Sequence, residues 1–218
     1  MTTLTTQPLA PLLERLFAEA DAATSPAMKT MSREERERLL RSKTEYLDFY
    51  TRLKDLWLPV SRETGALLYM LARSTRARNV VEFGTSFGIS TLHLAAALRD
   101  NGGGLVISSE FEPSKVQRAR AHVDQAGLAD LVEIRDGDAL TTLANQLPDA
   151  IDLLLLDGAK SLYNDVLSLV EARLRPGALI VADNADYSPD YLARVRAPGS
   201  GYLSVPFADD VELSIYLG

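Results

Sequence analysis

The residues best suited to chemistry are polar side chains that directly follow two apolar runs. Asp157 comes after the run Ile151–Leu156, and Asp183 and Asn184 come after a second run that ends at Ala182. If the two runs are neighbouring strands, about 4.8 Å apart, their ends meet at one edge of a sheet. Two carboxylates and an amide oxygen are hard ligands that suit a Mg²⁺-like cation. The pattern predicts a metal site formed by Asp157, Asp183 and Asn184.

Lys160 is the candidate base beside this site. It lies three residues beyond Asp157 and is the only lysine after residue 115. Next to a metal ion, the charged form of an ammonium is disfavoured, so Lys160 could accept a proton. The structural alternative is that Asp157 caps the following helix and Lys160 lies on the surface.

A glycine turn precedes these residues in the chain. Gly84 and Gly88 follow the predicted strand 80–83 and lead into a helix with Ser90 near its start. Glycines let the backbone approach a ligand, and a helix start offers unpaired N–H groups. A dinucleotide site would carry Gly-x-Gly-x-x-Gly, but Ser86 occupies the place of the middle glycine. The turn therefore favours a nucleoside without a pyrophosphate.

Two more acidic residues follow the next two predicted strands. Glu110 comes after strand 105–109, where a carboxylate can accept hydrogen bonds from both ribose hydroxyls. Asp138 comes after strand 131–135 and could accept a hydrogen bond from an adenine amino group. The alternative for both carboxylates is helix capping or solvation in a loop. Their order along successive strand ends favours a nucleoside site.

The alternation of strands and helices after residue 61 predicts the fold that positions these residues. Strands 80–83, 105–109, 131–135, 151–156 and 178–182 are apolar enough to be covered on both faces, as in a parallel sheet. Segment 202–207, the turn 208–210 and the alternating residues from Val211 predict a final antiparallel hairpin. We expect an α/β fold, with a Rossmann-like, doubly wound, mostly parallel seven-stranded sheet. Residues 1–60 are predicted to form an N-terminal helical lid or dimerisation segment, followed by a ligand-binding domain over 61–218.

Composition narrows the functional classes. The chain has 218 residues, no cysteine and a net charge of −7. Thiolate metal sites and cysteine nucleophiles are therefore excluded, and a nucleic-acid partner is disfavoured. Because no apolar run approaches the roughly 20 residues of a membrane helix, we expect no membrane partner and a cytoplasmic protein that acts on a small molecule. His93 and His122 have no partner serine or cysteine and are expected to be structural.

Taken in chain order, five segments carry a family resemblance. EFGTSFGIS at 82–90, Glu110, GDA at 137–139, DGAK at 157–160 and ADN at 182–184 resemble the class I S-adenosylmethionine-dependent O-methyltransferases of the catechol and caffeoyl-coenzyme A type, which bind a divalent cation. The likeness covers residues 61–218. It implies S-adenosylmethionine and Mg²⁺ as cofactors, and methyl transfer to a metal-bound hydroxyl of a small phenolic or vicinal-diol acceptor.

The resemblance also implies roles for individual residues. Lys160 and Asp157 would be catalytic, and the metal ligands would be Asp157, Asp183 and Asn184. The cofactor-binding residues would be Glu82, Gly84, Thr85, Ser86, Gly88, Ser90, Glu110, Asp138, Ala139 and Asp157.

Two positions depart from the family pattern. Catechol enzymes commonly have a histidine after the first metal aspartate, where this chain has Gly158, and a glutamate before the last hairpin strand, where our alignment places Leu203. These departures argue against catechol as the acceptor. We expect the amino-terminal helices and the predicted loop 187–201 to form a lid that selects the acceptor. The same helices are compatible with a homodimer.

Three other functions stay open at this point. A cation-independent methyltransferase of the same fold would use Asp157 and Asp183 to contact its substrate directly. A nicotinamide-dependent oxidoreductase is opposed by Ser86 and by the antiparallel end of the sheet. A non-catalytic protein that binds S-adenosylmethionine is opposed by the presence of Lys160.

Overall fold

A seven-stranded sheet forms the centre of the molecule, in a computed structural model that describes residues 1–24, 26–207 and 210–218. The strands are β1 Asn79–Phe83, β2 Leu105–Glu110, β3 Val132–Asp136, β4 Ile151–Leu156, β5 Leu174–Ala182, β6 Tyr202–Phe207 and β7 Val211–Tyr216. Their spatial order is β3-β2-β1-β4-β5-β7-β6. Strands β1 to β5 are parallel, and β7 pairs antiparallel with both β5 and β6. This arrangement confirms the predicted fold class.

Helices cover both faces of this sheet. Along the chain they are α1 Leu9–Ala22, α2 Pro26–Thr30, α3 Arg33–Arg41, α4 Tyr46–Arg52, α5 Arg62–Ser74, α6 Ile89–Asp100, α7 Pro113–Gln125, α8 Ala139–Thr142, α9 Tyr163–Val170 and α10 Pro189–Arg196. Strand β4 illustrates the layers. Leu153 and Leu155 point into the core on one side, with α1, α5, α6 and α7, whereas Leu154 and Leu156 point into the core on the other side, with α9 and α10. Such burial on both faces explains the near-continuous apolar run of this strand.

The register brings the functional strand ends to one edge of the sheet. Strand β1 lies between β2 and β4, and Phe83 is level with both Ser109 and Leu156. Strand β5 is the other neighbour of β4, where Leu156 is level with Ala182. The backbone pairing continues beyond the strands, because Asp157 N donates to Phe83 O and Asp183 N donates to Leu156 O. The residues after β1, β2, β4 and β5 therefore lie side by side.

Several predicted boundaries need correction. Strand β3 runs one residue later than expected, and β5 begins at Leu174 rather than at residue 178. The segment 187–201, predicted as a loop, contains α10, which starts at Pro189. A proline in the first helical turn loses no hydrogen bond, so this residue begins a helix here. Both hairpin strands are present, whereas Ala208 and Asp209 of the predicted turn lie outside the described residues.

The amino-terminal helices pack against the same fold. Helix α1 contributes Leu9, Leu12, Leu13, Leu16 and Phe17 to the main core. A smaller apolar cluster, centred on Leu39, Phe49 and Leu53, joins α3 to α4 and the residues after it. Among the described residues, no helix combines the length and the apolar character needed to cross a membrane. The division of the chain at residue 60 stays a prediction.

Candidate active site

The glycine turn after β1 forms the floor of a cleft. Gly84 has φ +103°, and a Cβ atom there would lie 2.6 Å from the carbonyl oxygen of Asp157, so only glycine allows this approach. Ser86 also has a positive φ, of +48°, and its buried Oγ has no hydrogen-bond partner among the described residues. Both residues line the cleft, which has a volume of about 630 Å³ including its open mouth. An unpartnered hydroxyl at a ligand cleft is a donor available to a ligand.

Glu110 and Asp138 stand along the same cleft. The Glu110 carboxylate accepts from Ser86 N at 2.8 Å and from Glu112 N at 3.0 Å. Burial raises the pKa of Glu110, and these N–H groups partly oppose the rise. Asp138 caps α8 by accepting from Leu140 N at 3.0 Å, while its other oxygen accepts from the hydroxyl of Tyr46 at 2.7 Å. The cleft therefore contains two carboxylates and the side chain of Tyr46, a residue that the sequence analysis did not place there.

The other residues predicted to bind a cofactor differ in position. Ala139 and Asp157 line the main cleft, and Thr85 and Ser90 line a smaller hollow beside it. Gly88 is the N-cap of α6, with φ +88°, and lines neither space. Glu82 is fully buried below the turn. The direct cofactor contacts of all these residues stay predictions, and Glu82 and Gly88 line neither space.

The Glu82 carboxylate is held by three hydroxyl groups. Ser90 and Thr91, in the first turn of α6, and Ser108 on β2 each donate to it. Burial raises the pKa of Glu82 to about 7, and the hydroxyl donors partly oppose the rise. The carboxylate thus ties the start of α6 to β1 and β2.

The ends of β4 and β5 bring together the predicted metal ligands and base. Lys160 Nζ donates to Asp157 Oδ1 at 2.9 Å, and both side chains are largely buried. Burial raises the pKa of Asp183, and the nearby Asp157 carboxylate raises it further. The two carboxyl groups are therefore close enough to interact. Asn184 Nδ2 donates to Asp210 Oδ2 at 2.8 Å, which orients its amide group.

The charge state of Lys160 follows from this cluster. Burial lowers the pKa of Lys160, but Asp157 and nearby Tyr163, Tyr50 and Asp183 outweigh it and hold the pKa well above its usual value. The ammonium form is thus favoured beside a bare Asp157 carboxylate. No group of three or more histidine, cysteine, aspartate or glutamate side chains is placed to hold a metal ion within the described ranges. The predicted metal ligands, Asp157, Asp183 and Asn184, do not form a group of this kind, because Asn184 supplies an amide and not a carboxylate.

A second and larger cleft opens on the acidic cluster. It measures about 1640 Å³ including its open mouth and is lined by Asp157, Lys160, Asp183, Asn184 and Asp210 on one side. The other side is mostly apolar and comes from the amino-terminal helices and the chain between α4 and α5, with Phe17, Phe49, Leu53, Leu56, Pro59 and Val60. Tyr50, Leu58, Asp157 and Gly158 line both clefts. The two spaces therefore meet at Asp157.

Sequence reasoning missed the aromatic roof of the smaller cleft. Tyr46 and Tyr50 lie four residues apart on α4, hence on one helix face, and both line the cleft. That spacing was the available signal. Lys115 also lines this cleft and was not singled out.

The two departures from the family pattern have structural counterparts. A Cβ atom on Gly158 would lie 2.5 Å from the ring of Phe83, so the phenyl ring fills the space that a larger residue would need. Leu203 lies on the edge strand β6, is 63% exposed and lines neither cleft.

Comparisons with known proteins agree with this arrangement. A family model described as a methyltransferase domain matches residues 81–185. A catechol O-methyltransferase of Niastella koreensis is 35% identical over 130 residues, which cover 58% of this chain and 58% of the relative. The aligned part is thus less than two thirds of that relative. Catechol O-methyltransferase B of Danio rerio is 30% identical over 188 residues, or 79% of this chain and 70% of the relative.

Solved structures are similar as well. The O-methyltransferase TomG of Streptomyces achromogenes, in complex with SAM, aligns with a TM-score of 0.65 and 26% identity, over 86% of this chain and all of TomG. The cofactor-bound protein Rv0187 aligns with a TM-score of 0.70 over 98% of this chain and 93% of its own; at 24% identity, this shows the fold alone. The strand order, the two clefts and these relatives lead to one conclusion: the chain belongs to the class I S-adenosylmethionine-dependent O-methyltransferase family that includes the catechol O-methyltransferases.

Proposed function

We propose that the protein transfers the methyl group of S-adenosylmethionine to a hydroxyl of a small phenolic or vicinal-diol acceptor. The cofactor would occupy the smaller cleft and the acceptor the larger one. The observation that carries this proposal is that the two clefts meet at Asp157, beside Asp183 and Lys160. A donor and an acceptor bound in them would come together at the acidic cluster.

The cofactor cleft supplies groups for each part of a nucleoside donor. We assign the ribose hydroxyls to Glu110, the adenine amino group to Asp138 next to Ala139, and the region of the sulfonium to Gly84 and Ser86. Thr85, Gly88, Ser90 and the buried Glu82 would act by fixing the turn and the start of α6. The unpartnered Oγ of Ser86 supports a polar ligand at this turn.

The acidic cluster fits a divalent cation. Burial and the neighbouring Asp157 carboxylate make ionisation of Asp183 costly, and a bound positive charge would offset that cost. Asn184 turns its NH₂ group to Asp210, which leaves its amide oxygen for a ligand. We therefore assign Asp157, Asp183 and Asn184 as ligands of Mg²⁺ or a similar ion. When bound, such an ion would lower the pKa of an acceptor hydroxyl and hold it in place.

Lys160 would take the proton of the acceptor hydroxyl. Lys160 lines the larger cleft, and its Nζ is in hydrogen-bond contact with Asp157, which lines both clefts. Because Asp157 holds its pKa high, the amine becomes a base only when the charge of that carboxylate is compensated. The acceptor oxygen then forms a bond to the methyl carbon as the sulfur–methyl bond breaks, and S-adenosylhomocysteine is released. Alignment of the two reactants contributes roughly 7 to 11 kcal/mol to lowering the barrier in such reactions.

The amino-terminal segment 1–60 and the segment 187–201 would select the acceptor. The apolar wall of the larger cleft comes from the former, and Tyr187 of the latter also lines it. Exchanging segment 187–201 for that of a relative should change the preferred acceptor and leave S-adenosylhomocysteine affinity within about threefold. Exchanging segment 1–60 should also change the preferred acceptor, with Tyr46 and Tyr50 kept in place because they line the smaller cleft. Unchanged preference would contradict this assignment. The amphipathic amino-terminal helices also support a homodimer, which sedimentation would test.

The direct test is methyl transfer from S-adenosylmethionine to a panel of vicinal-diol phenols and related hydroxyl compounds. Activity should disappear with EDTA and return with Mg²⁺. Activity that survives EDTA favours the cation-independent methyltransferase. Binding of NAD instead of S-adenosylhomocysteine would contradict both readings and favour an oxidoreductase.

Lys160→Met tests the assigned base. We expect turnover to fall at least a hundredfold, because general base catalysis typically contributes about 10² to 10⁴ in rate. Affinity for S-adenosylhomocysteine should stay close to that of the wild type. Lys54→Met removes an exposed lysine and should leave both quantities unchanged. Wild-type turnover in Lys160→Met would refute the role of Lys160 as base.

A further inference from the structure

Lys115 is a buried cation that the proposed reaction leaves without a role. It lies in the first turn of α7 and is only 4% exposed. Its side chain lines the cofactor cleft next to Glu110 and Glu112. Removing a lysine ammonium from water is costly unless hydrogen bonds or a nearby negative charge compensate it.

The protein offers that ammonium little compensation. Among residues 1–24, 26–207 and 210–218, no carboxylate oxygen lies within 4.0 Å of Lys115 Nζ, and no hydrogen bond joins it. Its Nζ lies over the ring of Phe87, 5.3 Å from the ring centroid. Burial lowers the pKa of Lys115, and the charges of Glu110 and Glu112 only partly oppose this. The Lys115 side chain therefore lines a ligand cleft without an acceptor among the described residues.

The neighbouring carboxylate indicates what the acceptor is. Each oxygen of Glu110 already accepts one backbone N–H group and has a further lone pair for a ligand hydroxyl. A hydroxyl that donates to Glu110 still has its own lone pairs, which need a donor. Lys115 is the cationic donor beside Glu110 in this cleft.

We propose that Lys115 donates a hydrogen bond to a ribose hydroxyl of the bound nucleoside cofactor, the same hydroxyl that donates to Glu110. This inference rests on the proposed function, because it takes the smaller cleft as the S-adenosylmethionine site. Lys115 is then a cofactor-binding residue whose cost of burial is offset only in the complex.

The variant Lys115→Met separates this role from a structural one. Without ligand, the variant should melt at or above the wild-type temperature, because an uncompensated buried charge is replaced by an apolar side chain of similar length. With S-adenosylhomocysteine, its Kd should rise about tenfold, as expected for loss of a hydrogen bond to a charged donor. Lys54→Met, which removes the same charge from an exposed site, should change that Kd by less than about twofold.

Deoxy analogues identify the contact. The ratio of the Lys115→Met Kd to the wild-type Kd should be about ten for S-adenosylhomocysteine. For one of its two analogues, the 2′-deoxy or the 3′-deoxy form, this ratio should drop below about three, because that analogue lacks the oxygen that accepts from Lys115. Lys115→Gln, which keeps a neutral donor, should give a Kd between those of wild type and Lys115→Met.

Three outcomes overturn the inference. They are unchanged binding of S-adenosylhomocysteine by Lys115→Met, a Kd ratio of about ten that persists with both deoxy analogues, and a ligand-free melting temperature below that of the wild type in both Lys115 variants. If the wild-type protein does not bind S-adenosylhomocysteine at all, the proposed function fails and the inference fails with it. Unchanged binding by the variant contradicts the inference alone.

Discussion

Replacing Gly84 by alanine tests whether the close approach of the glycine turn to Asp157 is essential. The new Cβ atom would lie 2.6 Å from the carbonyl oxygen of Asp157 and 2.7 Å from the nitrogen of Gly158, whereas ordinary van der Waals contact begins at 3.4 Å. The tips of β1 and β4 would therefore have to separate by about 0.8 Å, the shortfall between these distances. That movement weakens the hydrogen bond from Asp157 N to Phe83 O.

The magnitude has two parts. Alanine at a positive φ costs about 1 to 2 kcal/mol, and a weakened, buried backbone hydrogen bond adds about 1 kcal/mol. We expect Gly84→Ala to lower the free energy of unfolding by about 2 to 3 kcal/mol in urea titrations, which combines those two contributions. Affinity for S-adenosylhomocysteine should fall at least tenfold, because the floor of its cleft moves.

Gly127→Ala is the matched control. Gly127 also has a positive φ, of +67°, but no heavy atom lies within 4 Å of the position its Cβ would take. This variant should lose only about 1 kcal/mol, the conformational cost alone, and bind S-adenosylhomocysteine normally. Equal losses of stability in the two variants, with normal ligand binding by Gly84→Ala, would refute the argument from close approach.

Two further variants test other contacts of the site. Burial raises the pKa of Glu82 from 4.5 to about 7, so between these pH values the native state holds a proton that the unfolded state has lost. The contribution of Glu82 to the free energy of unfolding should therefore fall by about 3 kcal/mol as the pH rises from about 4.5 to 7. In Glu82→Gln that part of the pH dependence of unfolding should be absent, and a wild-type slope in the variant would contradict it. Tyr46→Phe removes the 2.7 Å hydrogen bond to Asp138 at the roof of the cofactor cleft. Because such a partly buried hydrogen bond contributes about 1 kcal/mol, S-adenosylhomocysteine should be released about fivefold faster from this variant. Tyr69→Phe removes a similar bond of 2.6 Å to Asp100, outside both clefts, and should not change the release rate measured by stopped flow; equal rates in both variants would contradict the roof assignment.

The sequence was informative where local pattern and sheet geometry combine. Apolar runs identify the strands, and in a parallel sheet the residues after neighbouring strands must lie at one edge. Asp157 and Asp183 could therefore be brought together without coordinates. Their adjacency required only that β4 and β5 pair, which the register confirms.

The roof of the cofactor cleft could not be predicted in the same way. Tyr46 meets Asp138 across 92 residues of chain, and this contact depends on how the short helices α3 and α4 pack onto the sheet edge. Helical periodicity says which residues share a face but not what that face covers. For α10, the proline and glycine residues of 187–201 were interpreted as loop signals, although a proline in the first turn is equally a start signal for a helix.

Asp157 links the two halves of the site through separate atoms. Its backbone nitrogen bonds to the end of β1, its carbonyl oxygen excludes any side chain at Gly84, and its carboxylate binds Lys160 beside Asp183. A shift of the glycine turn must therefore move the residue that lines both clefts. We therefore expect donor binding and acceptor binding to be coupled through the backbone of Asp157. On this argument Gly84 belongs to the proposed active site, although the atoms that a side chain there would meet are backbone atoms of Asp157 and Gly158.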